Sequence, residues 1–480
     1  MLDLVVVGLY LLITVGLAAR FVRQGGTAEG FSLGSGQIPT WAIGLSLLGT
    51  FVSSISFVGN PGKAYSDNWA PLGFALVTPL VAFFAGRYFV PLYRGRGHVS
   101  AYQFLEERFG YWARAYGSAS FLLVMLGRVS VILYLVAIVI APMLGLPVPM
   151  VIIVTGIIVT VYTLMGGMEA VIWTDVVQVI VMLGGALWCL AAILLAIPGG
   201  AAQVYQIASD AGGKFALGEY SLRWDGQTFL GVFCFAILAN IQNFGTDQNY
   251  VQRYLTVKSD REAVRALVIG TLPFIPMTAL FLMIGTGLFA FYRVNPALLP
   301  AGVTGDMVFP HFIRTQLPPG VSGLLVAAIL AAAMSTLSSN INCMATVFVE
   351  DYCRRLWMPA LNPASHIRLL RISGLVLGMA GTMFGLTMMG FRSVLDLFWE
   401  ICSMVGSGLL GLFLLAAAFR NISPAAAQLA AIAGIVTVAV VKLGLRADAL
   451  VAGSSGTFVL IAVAFVYSRI TAFSNQPATE

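Results

Sequence analysis

Stretches of about 20 predominantly apolar residues recur along the chain, and they constrain its fold more than any other feature. In a bilayer every backbone N–H and C=O group must be paired within the protein, so chains cross it as helices or as closed barrels. A helix needs about 20 residues to cross the hydrocarbon core, so these segments predict membrane-spanning helices. We count about 13 spans, near residues 3–21, 38–59, 70–92, 117–141, 147–165, 174–197, 228–249, 265–291, 321–346, 367–389, 393–417, 424–443 and 450–470.

Composition agrees with this class of protein. Of the 480 residues, 59% are hydrophobic and only 10% are charged, whereas a soluble domain carries about 25% charged residues. The chain is therefore predicted to be an all-α polytopic membrane protein. The net charge of +6 needs no nucleic-acid partner, because cytoplasmic loops of membrane proteins are rich in Lys and Arg.

The distribution of basic residues predicts the orientation. If the N-terminus lies outside, the loops on the cytoplasmic side carry 16 Lys and Arg residues, Arg253 among them, and the external loops carry 8. This bias follows the positive-inside rule. It predicts an odd number of spans, with the N-terminus outside and the C-terminus in the cytoplasm.

The span at 38–59 is poorly suited to a continuous helix. Gly44 and Gly49 interrupt it, and Ser53, Ser54 and Ser56 crowd its middle. Irregular backbone at membrane depth persists only inside protein or beside water, and discontinuous helices offer their half-helix ends to ions and polar solutes. A break here predicts a binding site. Small residues that merely let helices pack closely are the alternative.

A second broken span is predicted at 229–254, where residues 240–249 contain seven polar side chains. Counted from the span at 38–59, the broken spans are the first and the sixth of ten. Interruptions at corresponding positions of two halves are typical of inverted-repeat transporters, whose site lies between the halves.

Four hydroxyl side chains lie within two turns of the span at 321–346. Ser335, Ser338 and Ser339 share one face at 3.6 residues per turn, and Thr336 lies beside Ser339. Hydroxyl and carbonyl oxygens suit a monovalent cation, so the pattern predicts a cation site. Interhelical packing through small hydroxyl residues remains the alternative.

Two ionisable residues fall within or near predicted spans. Asp175 either caps the start of a span, together with Thr174, or shares a cation with Ser338 and Ser339. Arg128 lies too deep to reach the surface easily, and such a residue must face the bundle interior or water. Its planar fork suits a carboxylate or a vicinal diol of a solute, and pairing with backbone carbonyls is the alternative.

Patterns for other functions are absent from the sequence. The five cysteines and three histidines have no metal-ligand or redox spacing. No nucleophile–base set or nucleotide-binding loop is visible, so we do not expect an enzyme. A membrane sensor with a signalling domain is also not expected, because the last predicted span ends ten residues before Glu480.

These features together resemble the sodium/solute symporter family, which has the LeuT-type fold. The resemblance rests on the broken 38–62 span, GGMEAVIWTDVVQ at 166–178, GTDQNYVQRYL at 245–255 and LPPGVSGLLVAAILAAAMSTLSSNINCMAT at 317–346. It covers nearly the whole chain. It implies a core of five plus five inverted-repeat helices, with one extra helix before the core and two after it.

The resemblance also implies the ion sites. The family's shared sodium site uses carbonyls of the first and eighth core helices and two hydroxyls of the eighth. The matching positions here are Gly49, Val52, Ala332, Ser335 and Thr336. Some members have a second sodium site, whose pattern falls on Asp175, Ser338 and Ser339.

The solute site resembles that of bacterial sodium-coupled sialic acid symporters. There, hydroxyls of the first core helix hold the carboxylate, and an Arg of the third faces the sugar acid. The implied solute-binding residues here are Ser53, Ser54, Ser56, Arg128, Asn240 and Asn243. Galactose-transporting relatives have Gln in place of Ser56 and a gating Tyr in place of Asn243. Phe51 also replaces a smaller or polar residue, so a galactose-type site is not expected.

The function implied is sodium-coupled import of a small polar solute, a carboxylate or sugar acid, by alternating access. Sodium is the coupling ion, and no cofactor is expected. A symporter of a neutral sugar or polyol remains an alternative. So does a proton-coupled symporter of the same fold, in which Asp175 would titrate.

The resemblance further implies a division of the chain and a location. We expect an extra helix and linker at 1–37, a first repeat at 38–198, an external loop at 199–227, a second repeat at 228–417 and two extra helices with a tail at 418–480. The expected location is the plasma membrane, the inner one in bacteria. The expected partners are solute, sodium ions and lipid, without nucleic acid or an obligate protein partner.

Overall fold

The computed structural model describes residues 2–220, 229–390, 394–419, 421–444 and 449–474. Nearly all of these residues are helical, so the prediction of an all-α protein is confirmed. The helices of the first half are α1 (Leu2–Ala19), α2 (Ala28–Leu33), α3 (Thr40–Phe51), α4 (Ser54–Ser66), α5 (Ala70–Arg94), α6 (Gln103–Phe109), α7 (Tyr111–Leu144), α8 (Val148–Leu195) and α9 (Gly200–Asp210).

The second half continues in the same way. Its helices are α10 (Phe229–Thr246), α11 (Gln248–Leu255), α12 (Asp260–Thr271), α13 (Phe274–Val294), α14 (Val308–Gln316), α15 (Val321–Phe348), α16 (Pro363–Thr387), α17 (Val394–Ala418), α18 (Pro424–Ala439) and α19 (Ala449–Ser474). α9 lies in the loop at 199–227, which is predicted to be external, and α14 lies in the connection between α13 and α15.

Within the described residues, nine segments are long and apolar enough to cross a membrane, and α3 with α4 makes a tenth. The number of about 13 spans stays a prediction. One of the nine segments, α8, covers two predicted spans. Its 48 residues would measure about 72 Å if straight, more than twice the ~30 Å hydrocarbon core.

Gly167 interrupts α8 between the two predicted spans. Its backbone has φ 58° and ψ −148°, a conformation that suits glycine. An added Cβ would lie 2.6 Å from the Cα of Phe31, so the close approach of the linker also requires glycine. The chain turns at this point, as the two-span prediction requires.

Both predicted helix breaks are confirmed. Between α3 and α4, Val52 and Ser53 have extended backbone, and the two helices meet at 52°. Between α10 and α11, Asp247 has extended backbone. Its carboxylate accepts a hydrogen bond from the backbone N–H of Asn249 at 2.9 Å, which satisfies one of the free donors at the start of α11.

α15 lies at the centre of the protein. In its most apolar stretch 83% of the residues are buried, against 22% for α1. It packs against α8, α7, α1 and α3. A helix buried on all sides has no lipid-facing stripe, so the hydroxyls of α15 face protein.

The linker between α1 and α3 packs into one end of the bundle. The Asn342 side chain donates to the Phe31 carbonyl at 3.0 Å, and Gln252 donates to the Ser32 carbonyl. Gln252 also donates to the Asn342 side chain at 2.9 Å. The linker is therefore bound through its main chain by residues of α11 and α15.

The second half of the first broken helix, α4, is fixed by close packing. Gly285 of α13 lies so near α4 that an added Cβ would be 2.1 Å from the Pro61 carbonyl oxygen. Lys214, from the loop after α9, donates to the Tyr65 carbonyl at 2.6 Å. α4 is thus held against α13 and the loop after α9.

Gly285→Ala should separate α4 from α13, because the new methyl group would overlap the Pro61 carbonyl. Overpacking of this kind costs about 1–3 kcal/mol, so we expect the unfolding temperature of the purified protein to fall by several degrees. Gly184→Ala is the matched control, since an added Cβ there meets no atom within 4 Å. An unchanged unfolding temperature for Gly285→Ala would show that this contact is not needed.

Candidate cation and solute sites

Oxygen atoms of α3 and α15 meet beside the first helix break. The Ser335 hydroxyl lies 3.1 Å from the Gly49 carbonyl oxygen and 3.1 Å from the Ala332 carbonyl oxygen. α3 ends two residues after Gly49, so this carbonyl lies in its last turn, where carbonyls lack helical partners. Ser335 is therefore in contact with two of the other four predicted sodium ligands.

The remaining two predicted ligands lie nearby along the chain. The Thr336 hydroxyl is 3.4 Å from the Ala332 carbonyl oxygen, and Thr336 is fully buried. Val52 is the extended residue that ends α3, so its own carbonyl is outside the helix. An added Cβ at Gly49 would lie 3.7 Å from the Cβ of Ser335, which shows how closely the two helices approach.

Asp175 forms a fully buried ion pair with Arg253. Its Oδ2 accepts from the Arg253 guanidinium at 2.8 Å and from the Ser46 hydroxyl at 2.5 Å. Arg253 Nε donates to Ser46 at 2.8 Å, and another guanidinium nitrogen donates to the Ser339 hydroxyl. Asp175 Oδ1 is buried with no hydrogen-bond partner.

This arrangement changes two interpretations of the sequence. Asp175 does not cap a helix, because the helical segment of α8 begins after Gly167 and the Thr174 hydroxyl donates to the Ala170 carbonyl at 2.8 Å. The charge count treats Arg253 as a residue of a cytoplasmic loop. In the structure it lies in α11 and is fully buried. The partner of Asp175 here is a guanidinium.

The two other residues of the predicted second sodium site lie on α15. The hydroxyls of Ser338 and Ser339 donate to the Ser335 carbonyl at 3.2 and 2.7 Å. Arg253 therefore joins Asp175 to Ser339 and makes no hydrogen bond to Ser338. The second sodium site itself stays a prediction.

The predicted solute residues of the first broken helix lie at the start of α4. Ser53 precedes α4, and Ser54 and Ser56 belong to its first turn. The Ser54 hydroxyl is buried with no hydrogen-bond partner. A free hydroxyl at a helix N-terminus can donate to an anionic group that the helix end attracts.

On α10 the predicted solute residues are Asn240 and Asn243. Asn240 is fully buried, and its amide nitrogen donates to the Ala236 carbonyl at 2.8 Å. Its Oδ1 has no hydrogen-bond partner, so it can accept from a hydroxyl or amide. Asn243 lies one turn further along and is partly exposed.

Arg128 of α7 faces the second helix break. Its guanidinium lies 4.0 Å from Asp247 Oδ2, and its side chain is 22% exposed. Pairing of Arg128 with backbone carbonyls was the alternative, and among the described residues its guanidinium makes no hydrogen bond to a backbone carbonyl. Asp247 also borders a cavity of about 30 Å³ between α7, α10 and α17, which is about the size of one water molecule.

Arg253 and Asp247 are the functional candidates that the sequence interpretation did not select. Both lie in the GTDQNYVQRYL motif. A helical register through residues 248–255 would have placed Asn249, Gln252 and Arg253 on one face, and three polar residues at that spacing in a span predict an inward face. Asp247 could have been recognised as the residue before a new helix start.

Comparisons with known proteins identify the family of the chain. The model of the Sodium:solute symporter family matches residues 31–434. The sodium/sialic acid symporter SiaT of Proteus mirabilis is 31% identical, over 91% of this chain and 88% of its own length. The sodium/sialic acid symporter NanT of Aliivibrio fischeri is 30% identical, over 95% and 91%.

A solved structure has the same architecture. It is a sodium-coupled sialic acid symporter in a substrate-bound, outward-open state, with 29% identity, a TM-score of 0.93 and 98% of both chains covered. The predicted LeuT-type fold is therefore confirmed. The chain belongs to the Sodium:solute symporter family, with sodium as its coupling ion.

Proposed function

We propose that this protein imports a sialic-acid-like sugar acid together with sodium. The observation that carries the proposal is Arg128, a basic side chain at membrane depth that lies 4.0 Å from Asp247 at a helix break. A guanidinium can bind a carboxylate in a bidentate manner. The relatives named as sialic acid symporters support the same class of solute.

The proposed solute site lies between the two broken helices. Hydroxyls of Ser53, Ser54 and Ser56 would donate to the carboxylate at the N-terminus of α4, where the helix end favours negative charge. Arg128 would face the acid from α7. Asn240 and Asn243 would bind hydroxyl or amide groups from α10.

The proposed sodium site joins α3 to α15. Gly49, Val52 and Ala332 would supply carbonyl oxygens, and Ser335 and Thr336 would supply hydroxyls. The contact of Ser335 with Gly49 and Ala332 supports this assignment. Sodium at this position would hold α3 and α15 together and favour the outward-open state.

Sodium entry supplies the energy for solute accumulation. One positive charge that crosses the membrane potential provides about 2.3 kcal/mol per 100 mV. This corresponds to about 50-fold accumulation per ion from voltage alone, since about 1.4 kcal/mol is tenfold.

The proposed location is the plasma membrane, the inner membrane in bacteria. The N-terminus would lie outside and the C-terminus in the cytoplasm, because this orientation leaves 15 basic loop residues on the cytoplasmic side once Arg253 is set aside, against 8 outside. The proposal includes no nucleic acid and no obligate protein partner. The repeats are proposed at 38–198 and 228–417.

Sodium-dependent stabilisation by a sugar acid tests the function. We expect N-acetylneuraminate to raise the unfolding temperature of the purified protein in sodium and not in potassium, because a ligand of the native state stabilises it by RT ln(1 + [L]/Kd). Ser335→Ala and Arg128→Ala should each abolish the shift. Ser209→Ala and Arg314→Ala, at exposed positions, should keep it.

Two outcomes would contradict the proposal. Stabilisation by neutral sugars alone would make Arg128 structural and favour a sugar or polyol symporter. Equal stabilisation in potassium would exclude the proposed sodium site.

We further propose a second sodium site at Asp175, Ser338 and Ser339. The buried and unbonded Asp175 Oδ1 supports it, since a cation would supply the missing partner. Arg253 already occupies Oδ2 and the Ser339 hydroxyl. A sodium ion would therefore bind on the Oδ1 side, away from the guanidinium.

The sodium dependence of solute binding tests this second site. We expect the sodium dependence of solute binding to have a Hill coefficient near 2 in the wild type and near 1 when the Asp175 carboxylate is removed. Asp175→Asn alone leaves Arg253 unpaired, which costs about 3–5 kcal/mol, so Asp175→Asn/Arg253→Gln is the informative variant. We expect its unfolding temperature to exceed that of Asp175→Asn. A Hill coefficient of 1 in the wild type would exclude the second ion.

A further inference from the structure

Four charged side chains in the transport core form two ion pairs at the helix breaks. Asp175 and Arg253 are 2.8 Å apart and fully buried. Asp247 and Arg128 are 4.0 Å apart, with the Asp247 side chain only 10% exposed. Each pair has no net charge, so these four charges are balanced before sodium or solute binds.

The position of Asp247 is fixed independently of Arg128. Its Oδ1 accepts from the Asn249 backbone N–H at 2.9 Å and from the Asn249 side-chain amide at 2.8 Å. These bonds orient the carboxylate at the start of α11. Oδ2 is left to face Arg128, so the negative charge stays at the break whether or not the guanidinium moves.

This pairing has a consequence for an anionic solute. The effective penalty for an ion buried without a partner is several kcal/mol. Because Asp247 already balances Arg128, an entering carboxylate adds an unbalanced negative charge, and sodium alone adds an unbalanced positive charge. The carboxylate and the one sodium ion proposed between α3 and α15 together restore neutrality, so each should favour binding of the other.

We propose that Asp247 is a coupling residue: by neutralising Arg128, it makes the binding of an anionic solute depend on sodium. The inference rests on the proposed function, because it requires a solute with a carboxylate. Without the Asp247 charge, Arg128 itself becomes the counter-ion of the solute. Sodium is then no longer needed to balance the acid.

The test compares solute binding with and without sodium. The Kd of N-acetylneuraminate is measured by calorimetry on the purified protein in sodium chloride and in choline chloride of equal ionic strength. In Asp247→Asn we expect the ratio of the choline Kd to the sodium Kd to fall at least tenfold below the wild-type ratio. Asn caps helices as well as Asp does, so α11 should be retained.

Asp260→Asn is the matched control. Asp260 pairs with Arg94 at 2.7 Å, with its side chain 54% exposed, so the substitution removes the same charge outside the core. We expect this variant to keep the wild-type ratio. A ratio that falls equally in both variants would overturn the proposal, because the effect would then come from net charge alone.

A second variant tests the proposal from the opposite side. Arg128→Gln leaves the Asp247 charge unbalanced, so sodium should bind more tightly in the absence of solute, by about fivefold or more. Thermal stabilisation during a sodium titration measures this affinity. Arg128→Gln/Asp247→Asn removes both charges and should return the sodium affinity to that of the wild type.

The outcomes separate this inference from the proposed function. An unchanged Kd ratio in Asp247→Asn, or an unchanged sodium affinity in Arg128→Gln, would overturn the role of Asp247 and leave sugar-acid transport intact. A wild-type protein that binds no sugar acid in sodium would overturn both.

Discussion

The ion pair between Arg253 and Asp175 holds four helices in one arrangement. Arg253 lies on α11 and Asp175 on α8, and the guanidinium also contacts Ser46 of α3 and Ser339 of α15. A buried pair adds little net stability, but its disruption is costly. The pair therefore fixes how these helices meet, and the contact of Gly49 with Ser335 depends on that register.

The polar chemistry of the core is concentrated where helical hydrogen bonding stops. A helix end leaves carbonyl or N–H groups without partners, and lipid cannot supply them. At the first break, a hydroxyl of α15 meets the Gly49 carbonyl. At the second, the Asp247 carboxylate caps α11. The same unpaired groups that make a broken helix costly also make it able to bind ions and solutes.

Most of the fold could be predicted from the sequence, because spans and helix breaks depend on neighbouring residues. The length of an apolar segment indicates a span, and clustered Gly, Ser and Asn residues indicate a break. The breaks near Ser53 and within 240–249 were predicted for this reason. The partners of charged residues could not be predicted in the same way. The charge pattern places Arg253 in a loop, because its burial depends on how α11 continues after the break and packs against α3, α5 and α15.

The pairing of Arg128 was missed for a related reason. The depth of Arg128 in its span predicted an inward-facing side chain, but not which group it would face. Asp247 is 119 residues away in the sequence, and only the packing of α7 beside the break of α10 and α11 brings the two charges together. Local sequence therefore indicates where the site lies, but it does not indicate which charged groups pair with each other in the site.

The attachment of the α1–α3 linker has a consequence for how this segment can vary. Asn342 and Gln252 bind the carbonyls of Phe31 and Ser32, which every amino acid possesses. Substitutions in these linker side chains leave those bonds chemically available, whereas replacement of Asn342 or Gln252 removes them. Mutational tolerance in the linker should accordingly be limited by the burial of the Phe31 ring and by the hydrogen bond that Ser32 accepts from Thr346, and not by the main-chain bonds.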